Sequence, residues 1–362
     1  MSPLSATFTS LRPSVDSATT SALLSFLDLL PSSAQADPLF EAAHGACASG
    51  KRFRGILSMV GADLVAGQAQ VDTKFLAAAV ELYQASALVH DDVIDNADTR
   101  RGNPTPHVAM AHQHRTSGWV GSPQNYGVSA AILLGDVLFS AASWAMAQHC
   151  RTVEPLTAAR VWDTWNQMHA EVGVGQFLDI QAEQVPLNPE DDSCVSVEHA
   201  LQVVVHKSAR YSVVVPTVLG ALSAGADEHV VAQLEAVLTP WGQAFQLRDD
   251  DLGVFGDPHS TGKPAGDDLV EGKRTALLAL TWRGADRAER EALMRVVGNP
   301  QAEQGAIQAA VGIIDQRGRS AHEEMISHLV EQGNQALMGS TFTADIRQGL
   351  SELGEIVTRR RA

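Results

Sequence analysis

Two stretches of this sequence gather carboxylates in a way that calls for a cation. The first reads Leu88-Val89-His90-Asp91-Asp92-Val93-Ile94-Asp95, and the second Phe245-Gln246-Leu247-Arg248-Asp249-Asp250-Asp251. Each closes an apolar run of helical period. Asp91 and Asp95 stand four residues apart, so they share a helix face on which like charges repel. A helix C-terminus is also the negative end of the dipole, and acids gathered there need a neutralising ion. Carboxylate oxygens suit Mg2+, or Mn2+ in its place, which keeps several waters and shares phosphate oxygens. Taken alone, either cluster could be a solvated acidic helix end; two in the same helical setting favour the metal. The spacing of a calcium-binding EF-hand loop is absent.

Cations recur around these acids. Gly50-Lys51-Arg52-Phe53-Arg54-Gly55 opens a helix with three basic residues, and Arg100-Arg101-Gly102 follows the first acidic cluster. Lys207 and Arg210 lie on a further helical run, and Lys263 and Lys273 lie in and after a glycine-rich stretch. Each alone reads as a surface residue. With two acidic clusters they fit a site for two diphosphates, one bridged through metal ions and one gripped directly by Lys and Arg.

The elements that must position these groups are helices. Hydrophobic residues make up 45% of the 362, charged ones 19%, and aromatics only 5%. That composition favours helix over the aromatic, β-branched strands of an all-β fold. Apolar positions recur at helical spacing through Ile56, Leu57, Val60 and Leu64, through Leu76, Val80, Tyr83 and Ala87, and through Val161, Trp165 and Met168. Breaks rich in Gly, Pro, Asn, Asp and Ser fall at 67–72, 100–126, 185–196, 225–227, 256–272 and 298–304. No flexible linker and no repeat is visible. The expectation is one all-α domain over 38–362, a bundle of about ten or more helices, behind a loosely held Ser/Thr/Pro-rich lead-in at 1–37.

Several function classes drop out. A net charge of −16 argues against a nucleic-acid binder, which needs a basic face; phosphate esters remain open if metals supply the positive charge. Cys47, Cys150 and Cys194 lack C-x-x-C spacing and read as free thiols. The N-terminal MSPLSATFTS has no basic region followed by an apolar core, so no secretory signal is expected and a cytoplasmic location is. Residues 128–147 are apolar enough to span a bilayer, but Asp136 at their centre would be costly in lipid. A buried helix is expected there instead of a transmembrane segment.

In ordered motifs the chain resembles the trans-isoprenyl diphosphate synthase (polyprenyl synthetase) family, particularly its actinobacterial geranylgeranyl diphosphate synthase-like members. The resemblance rests on G-K-R-F-R-G at 50–55, L-V-H-D-D-V-I-D at 88–95, R-R-G-N-P-T-P-H at 100–107 and L-L-G-D at 133–136. It continues with G-Q-F-L-D at 175–179, K-S-A-R-Y at 207–211, F-Q-L-R-D-D at 245–250 and T-G-K-P-A-G-D-D-L-x-E-G-K-R-T at 261–275. The actinobacterial mark is Gly-Trp-x-Gly-Ser at 118–122.

The resemblance implies an all-α isoprenoid-synthase bundle around a central cavity, usually as a homodimer, with about three Mg2+ ions per site. It implies that Asp91 and Asp95 bind metal with Asp92 beside them, and Asp249 from an opposing wall, supported by Asp250. Lys51, Arg54, Gln84 and Arg101 would hold isopentenyl diphosphate. Arg100, Lys207 and Lys263 would hold the allylic diphosphate (dimethylallyl, geranyl or farnesyl), with Lys273 nearby, and Ser208, Tyr211 and Gln246 would line the reacting carbons. Two departures stand out. Gly253 occupies the last position of the second D-D-x-x-D motif, and Gln84 stands where relatives often carry His. The Arg359-Arg360-Arg361 tail weakly echoes a C-terminal basic flap.

Product length should depend on residues below the first motif. The fourth and fifth residues before Asp91 are the small Ala87 and Ser86, which leaves the path open. Tyr83 would then form a floor about 4.5 Å below Ser86, giving geranylgeranyl diphosphate as the main product and farnesyl diphosphate as a minor one. A longer-chain synthase for quinone side chains is the nearest alternative. A class I terpene cyclase would want Ser or Thr and then Glu where Gly253 and Asp257 stand. A non-catalytic synthase subunit would have lost acids from one cluster, and both are intact.

Overall fold

The Ala- and Leu-rich runs between these breaks are helices in the structure, a computed structural model that describes residues 3–31, 33–66, 71–256 and 265–358. In chain order they are α1 (Pro3–Leu27), α2 (Asp37–Cys47), α3 (Phe53–Ala66), α4 (Lys74–Ile94), α5 (Pro106–Thr116), α6 (Pro123–Cys150), α7 (Pro155–Glu183) and α8 (Val197–Val203). A π-helix (Val204–Val214) leads into α9 (Val215–Ser223) and α10 (Glu228–Phe255). Then come α11 (Asp267–Glu271), α12 (Ala276–Gly284), α13 (Arg287–Met294), α14 (Gln304–Arg317), α15 (Arg319–Met338) and α16 (Ala344–Thr358). Among the described residues the only sheet is a hairpin of β1 (Thr99–Arg100) and β2 (Asn103–Pro104).

Packing divides the chain into two compact units, Met1–Thr164 with Pro216–Asp227, and Trp165–Val215 with Glu228–Ala362. Two of the boundaries fall inside helical runs, within α7 and at the π-helix–α9 junction, so no linker composition marks them. In the first unit α4 is buried on nearly every side through Leu76, Ala77, Ala78, Ala79, Val80 and Leu82. It packs on α6, whose Ala131, Leu134, Leu138, Ala141 and Ala145 are also buried. Alanines let the two axes approach. α3 and α9 cross at reciprocal glycines, where a Cβ at Gly61 would overlap Thr217 and one at Gly220 would overlap Ser58. In the second unit Trp241 fills the space left by Gly333 and Gly354, and its Nε1 donates to Val330 O at 3.3 Å.

Two expectations changed. Within the 1–37 lead-in, α1 is not loosely held, because it puts Val15 against Ile56, Val60 and Ala77. Val15, Thr19, Ala22, Leu23 and Leu27 are all buried and fall on one helical face. Thr19 and Ala22 are weakly apolar, so this stripe is faint in the sequence; the Thr19 hydroxyl is satisfied by Val15 O at 2.8 Å. The 100–126 stretch is not one long loop but the β1–β2 hairpin, α5 and the start of α6. The apolar 128–147 run lies within α6, which is long and apolar enough to cross a membrane, yet 44% of its most apolar window is buried inside the protein.

Candidate active site

In the first unit the acids sit at the end of α4. Asp92 is buried at 2% exposure, while Asp91 and Asp95 are half-buried. Burial raises the Asp92 carboxyl above its ordinary range, and Arg100 opposes that rise. Arg100 Nε donates to Asp92 Oδ1 at 2.6 Å, and Nη2 to Asp91 Oδ2 at 3.5 Å. The hairpin aims these cations. Arg101 and Gly102 form its two-residue turn with φ of 54° and 77°, a conformation favoured in hairpins but strained for a side chain. Arg101 is held there by Ser49, whose carbonyl and Oγ accept from Nη1 at 3.0 and 3.1 Å. Arg100 and Arg101 are therefore turned to different partners.

The loop before α3 is fixed by Arg52, which is 5% exposed. Its Nε donates to Asp16 Oδ1 of α1 at 2.5 Å, its Nη2 to Cys47 O at 2.5 Å, and its Nη1 lies 3.7 Å from Glu81 Oε2 of α4. Glu81 also accepts the Gly55 N–H at 2.8 Å. Gly55 has no room for a Cβ, which would lie 2.7 Å from Val15. Lys51 is left exposed and Arg54 half-buried. Arg54 lies close enough to Tyr83 to oppose the burial that pushes the phenol up to about 12.

Below the acids, Tyr83 is buried and meets Phe139 of α6 edge-on, with centroids 5.9 Å apart. Ser86 is turned to α6 as well, and its Oγ donates to Gly135 O at 2.8 Å. A Cβ at Gly135 would overlap the His90 ring, so the glycine makes room for that imidazole, which lies 3.6 Å from Asp136. Gln84 and Ala87 are half-buried.

In the second unit the π-helix carries Lys207, Ser208 and Tyr211, and α10 carries Gln246, Asp249 and Asp250. Lys207 Nζ donates to Asp179 Oδ2 of α7 at 2.5 Å. Gln246 Nε2 donates to Asp250 Oδ1 at 2.9 Å. Burial pushes Asp250 up to about 8, and the neighbouring Asp268, Asp249 and Asp179 add to the rise. Lys273 meets Glu271 at 2.5 Å and Asp268 at 3.9 Å. Ser208 is half-buried and Tyr211 buried. Lys263 lies outside the described residues, as do 359–361.

A sequence profile of the family described as polyprenyl synthetase matches residues 37–314. The chain belongs to the polyprenyl synthetase family. A crystal structure of geranylgeranyl pyrophosphate synthase from Corynebacterium glutamicum, complexed with isoprenyl diphosphate and magnesium, has a TM-score of 0.84 at 35% identity over 96% of this chain and 98% of that one. Geranylgeranyl diphosphate synthase of Mycobacterium tuberculosis is 35% identical over 68% of this chain and 63% of that protein. That of Sulfolobus acidocaldarius is 28% identical over 89% of this chain and 91% of its own.

For this family member, the Gly253 departure has a structural counterpart. A Cβ at 253 would overlap the Asp268 carboxylate. Asp268, carried on α11, thus fills the space a side chain at 253 would take, among Asp249, Asp250 and Asp179. The donor set fits Mg2+: it is all oxygen, and burial together with the neighbouring acids raises the Asp250 carboxyl. Among the described residues no group of three or more His, Cys, Asp or Glu is placed to hold a metal ion by protein ligands alone. Sequence reasoning missed Asp16, Glu81, Asp179 and Asp268. The last two sit in matched motifs, whereas nothing in the sequence marks Asp16.

Proposed function

We propose that this protein is an all-trans prenyltransferase that condenses isopentenyl diphosphate head to tail with an allylic diphosphate, uses Mg2+, and makes geranylgeranyl diphosphate as its main product. The observation that carries this is that each unit sets acids beside cations that other acids hold in place. Arg100 lies on Asp91 and Asp92 in the first. In the second, Lys207 lies on Asp179, itself near enough to Asp250 to raise its carboxyl. The 35% identity to a Corynebacterium geranylgeranyl pyrophosphate synthase over nearly the whole chain supports the product.

Asp91 and Asp95 in the first unit and Asp249 in the second would hold the ions, which would supply charge to stabilise the departing diphosphate. Asp92 would orient Arg100. Arg100, Lys207 and Lys263 would bind the allylic diphosphate, with Lys273 nearby, and Arg100 and Lys207 would give up their carboxylate partners in part as its oxygens arrive. Lys51, Arg54, Gln84 and Arg101 would hold isopentenyl diphosphate. As the allylic C–O bond breaks, the alkene of isopentenyl diphosphate forms the new C–C bond, and the released diphosphate accepts the proton lost from the adjoining carbon. Ser208, Tyr211 and Gln246 would line the reacting carbons. Tyr83, backed by Phe139, would be the floor for the growing chain.

A homodimer is part of the proposal. Ile132, Leu133 and Phe139 of α6 are 42%, 58% and 37% exposed, an apolar row that a second copy would cover, and sedimentation velocity tests it. The activity test is purified protein with Mg2+, labelled isopentenyl diphosphate and each of dimethylallyl, geranyl and farnesyl diphosphate, followed by chromatography of the dephosphorylated products. A twenty-carbon product from any primer is expected. No turnover with all three overturns the proposal.

A further inference from the structure

The π-helix over Val204–Val214 is 11 residues long. Its hydrogen bonds skip one residue more than those of an α-helix, a winding that seldom persists beyond one turn and recurs at functional sites. Such a segment must be held against relaxation into α-helix. α7 presents Glu171, Gly175 and Asp179 at four-residue intervals, hence on one face. Gly175 lets that face touch the π-helix backbone, for a Cβ there would lie 2.7 Å from Lys207 Cα. From α10, Gly242 does the same at Ala209, where a Cβ would lie 2.9 Å from the carbonyl oxygen. Glycines admit the wide turn, but they supply no directional hold.

Arg210 supplies it. Its Nε donates to Glu171 Oε2 of α7 at 2.8 Å, and its Nη2 to Glu235 Oε1 of α10 at 3.1 Å. The guanidinium is 21% exposed and spans two helices with a rigid fork. It lies three residues beyond Lys207 and next to Tyr211. Lys207, by contrast, reaches Asp179 on a flexible stem. We propose that Arg210, locked between Glu171 and Glu235, is a positioning residue that keeps the π-helix in register and so aims Lys207 and Tyr211 at the allylic substrate. This rests on the prenyl-transfer function proposed above.

The test uses the full-length enzyme as wild type, Arg210→Met, Arg210→Lys and Glu171→Gln. It measures hydrogen exchange of the 204–214 amides, KM for each substrate, kcat and Tm. Arg210→Met should raise exchange across the segment at least about tenfold. It should lower kcat/KM for the allylic primer about a hundredfold, the scale set by an ångström of misplacement, and leave KM for isopentenyl diphosphate within about twofold. Glu171→Gln should move both readouts the same way by less, and Arg210→Lys should recover part of the loss. Unchanged exchange and kinetics overturn the inference, as does an equal rise in both KM values with a lowered Tm. If the wild type does not turn over, the proposed function fails, and the exchange result still decides whether Arg210 holds the π-helix.

Discussion

Of the three cations in the Lys51-Arg52-Phe53-Arg54 run, Arg52 belongs to the fold, and replacing it separates stability from substrate binding. Arg52→Met removes a guanidinium that is 5% exposed from beside Glu81, which is 6% exposed. Breaking a buried pair by removing one partner costs about 3–5 kcal/mol. The Asp16 contact adds little, since that acid is 42% exposed and screened by solvent. At roughly 2–4 °C per kcal/mol for a unit of this size, Tm should fall by about 10 °C. Lys51 is exposed, so Lys51→Met should leave Tm within about 1 °C while raising KM for isopentenyl diphosphate. Differential scanning fluorimetry and steady-state kinetics on both variants make the comparison. Glu81→Gln combined with Arg52→Met should recover part of the loss, because Gln can still accept the Gly55 N–H without burying a charge. A Tm drop under about 2 °C for Arg52→Met, or an equal drop for Lys51→Met, refutes the assignment.

Gly253→Ala should displace the Asp268 carboxylate and raise the Mg2+ concentration needed for half-maximal activity about tenfold, the usual scale for a lost supporting contact; a metal titration with unchanged midpoint would count against it. Tyr83→Ala should shift products beyond twenty carbons, and an unaltered chromatogram would show that the ring only packs. Burial pushes His149, His169 and His322 down to about 4, below the unfolded value of about 6.5. The unfolded chain therefore binds more protons between those values, and stability should fall as pH drops from about 6.5 towards 4. Neither ring nitrogen of His322 has a hydrogen-bond partner among the described residues, so His322→Leu should move the acid-unfolding midpoint to lower pH without losing such a bond. An unmoved midpoint in circular dichroism would exclude His322 as a contributor.

Much of the site was legible because its chemistry is written in local runs. The acids at 91–95 and 249–251 lie within single helical turns, and their charge crowding follows from spacing alone. Lys207 and Gln246 came through motif resemblance. What stayed hidden depends on distant partners. α1 was missed because Thr19 and Ala22 blur its apolar stripe, and the 100–126 break hid α5 because its Pro, Gly and His residues mask a helix that packs on α6. Ser86 looked like open space below the acids, yet its hydroxyl is spent on Gly135.

The sequence by itself determined that helices would carry acids near their C-terminal ends, that cations would accompany them, and that the whole would suit diphosphates and Mg2+. Those properties follow from residue type and from periods of three to four residues, which the backbone imposes wherever a helix forms. Tertiary structure alone decided which cation holds the fold and which is left for substrate, because that depends on burial and on partners such as Asp16 and Glu81 far away in the chain. It also decided that Asp268 fills the place beside Gly253, and that residues 204–214 wind as a π-helix against Gly175 and Gly242. Close approach of one backbone to another has no local signature.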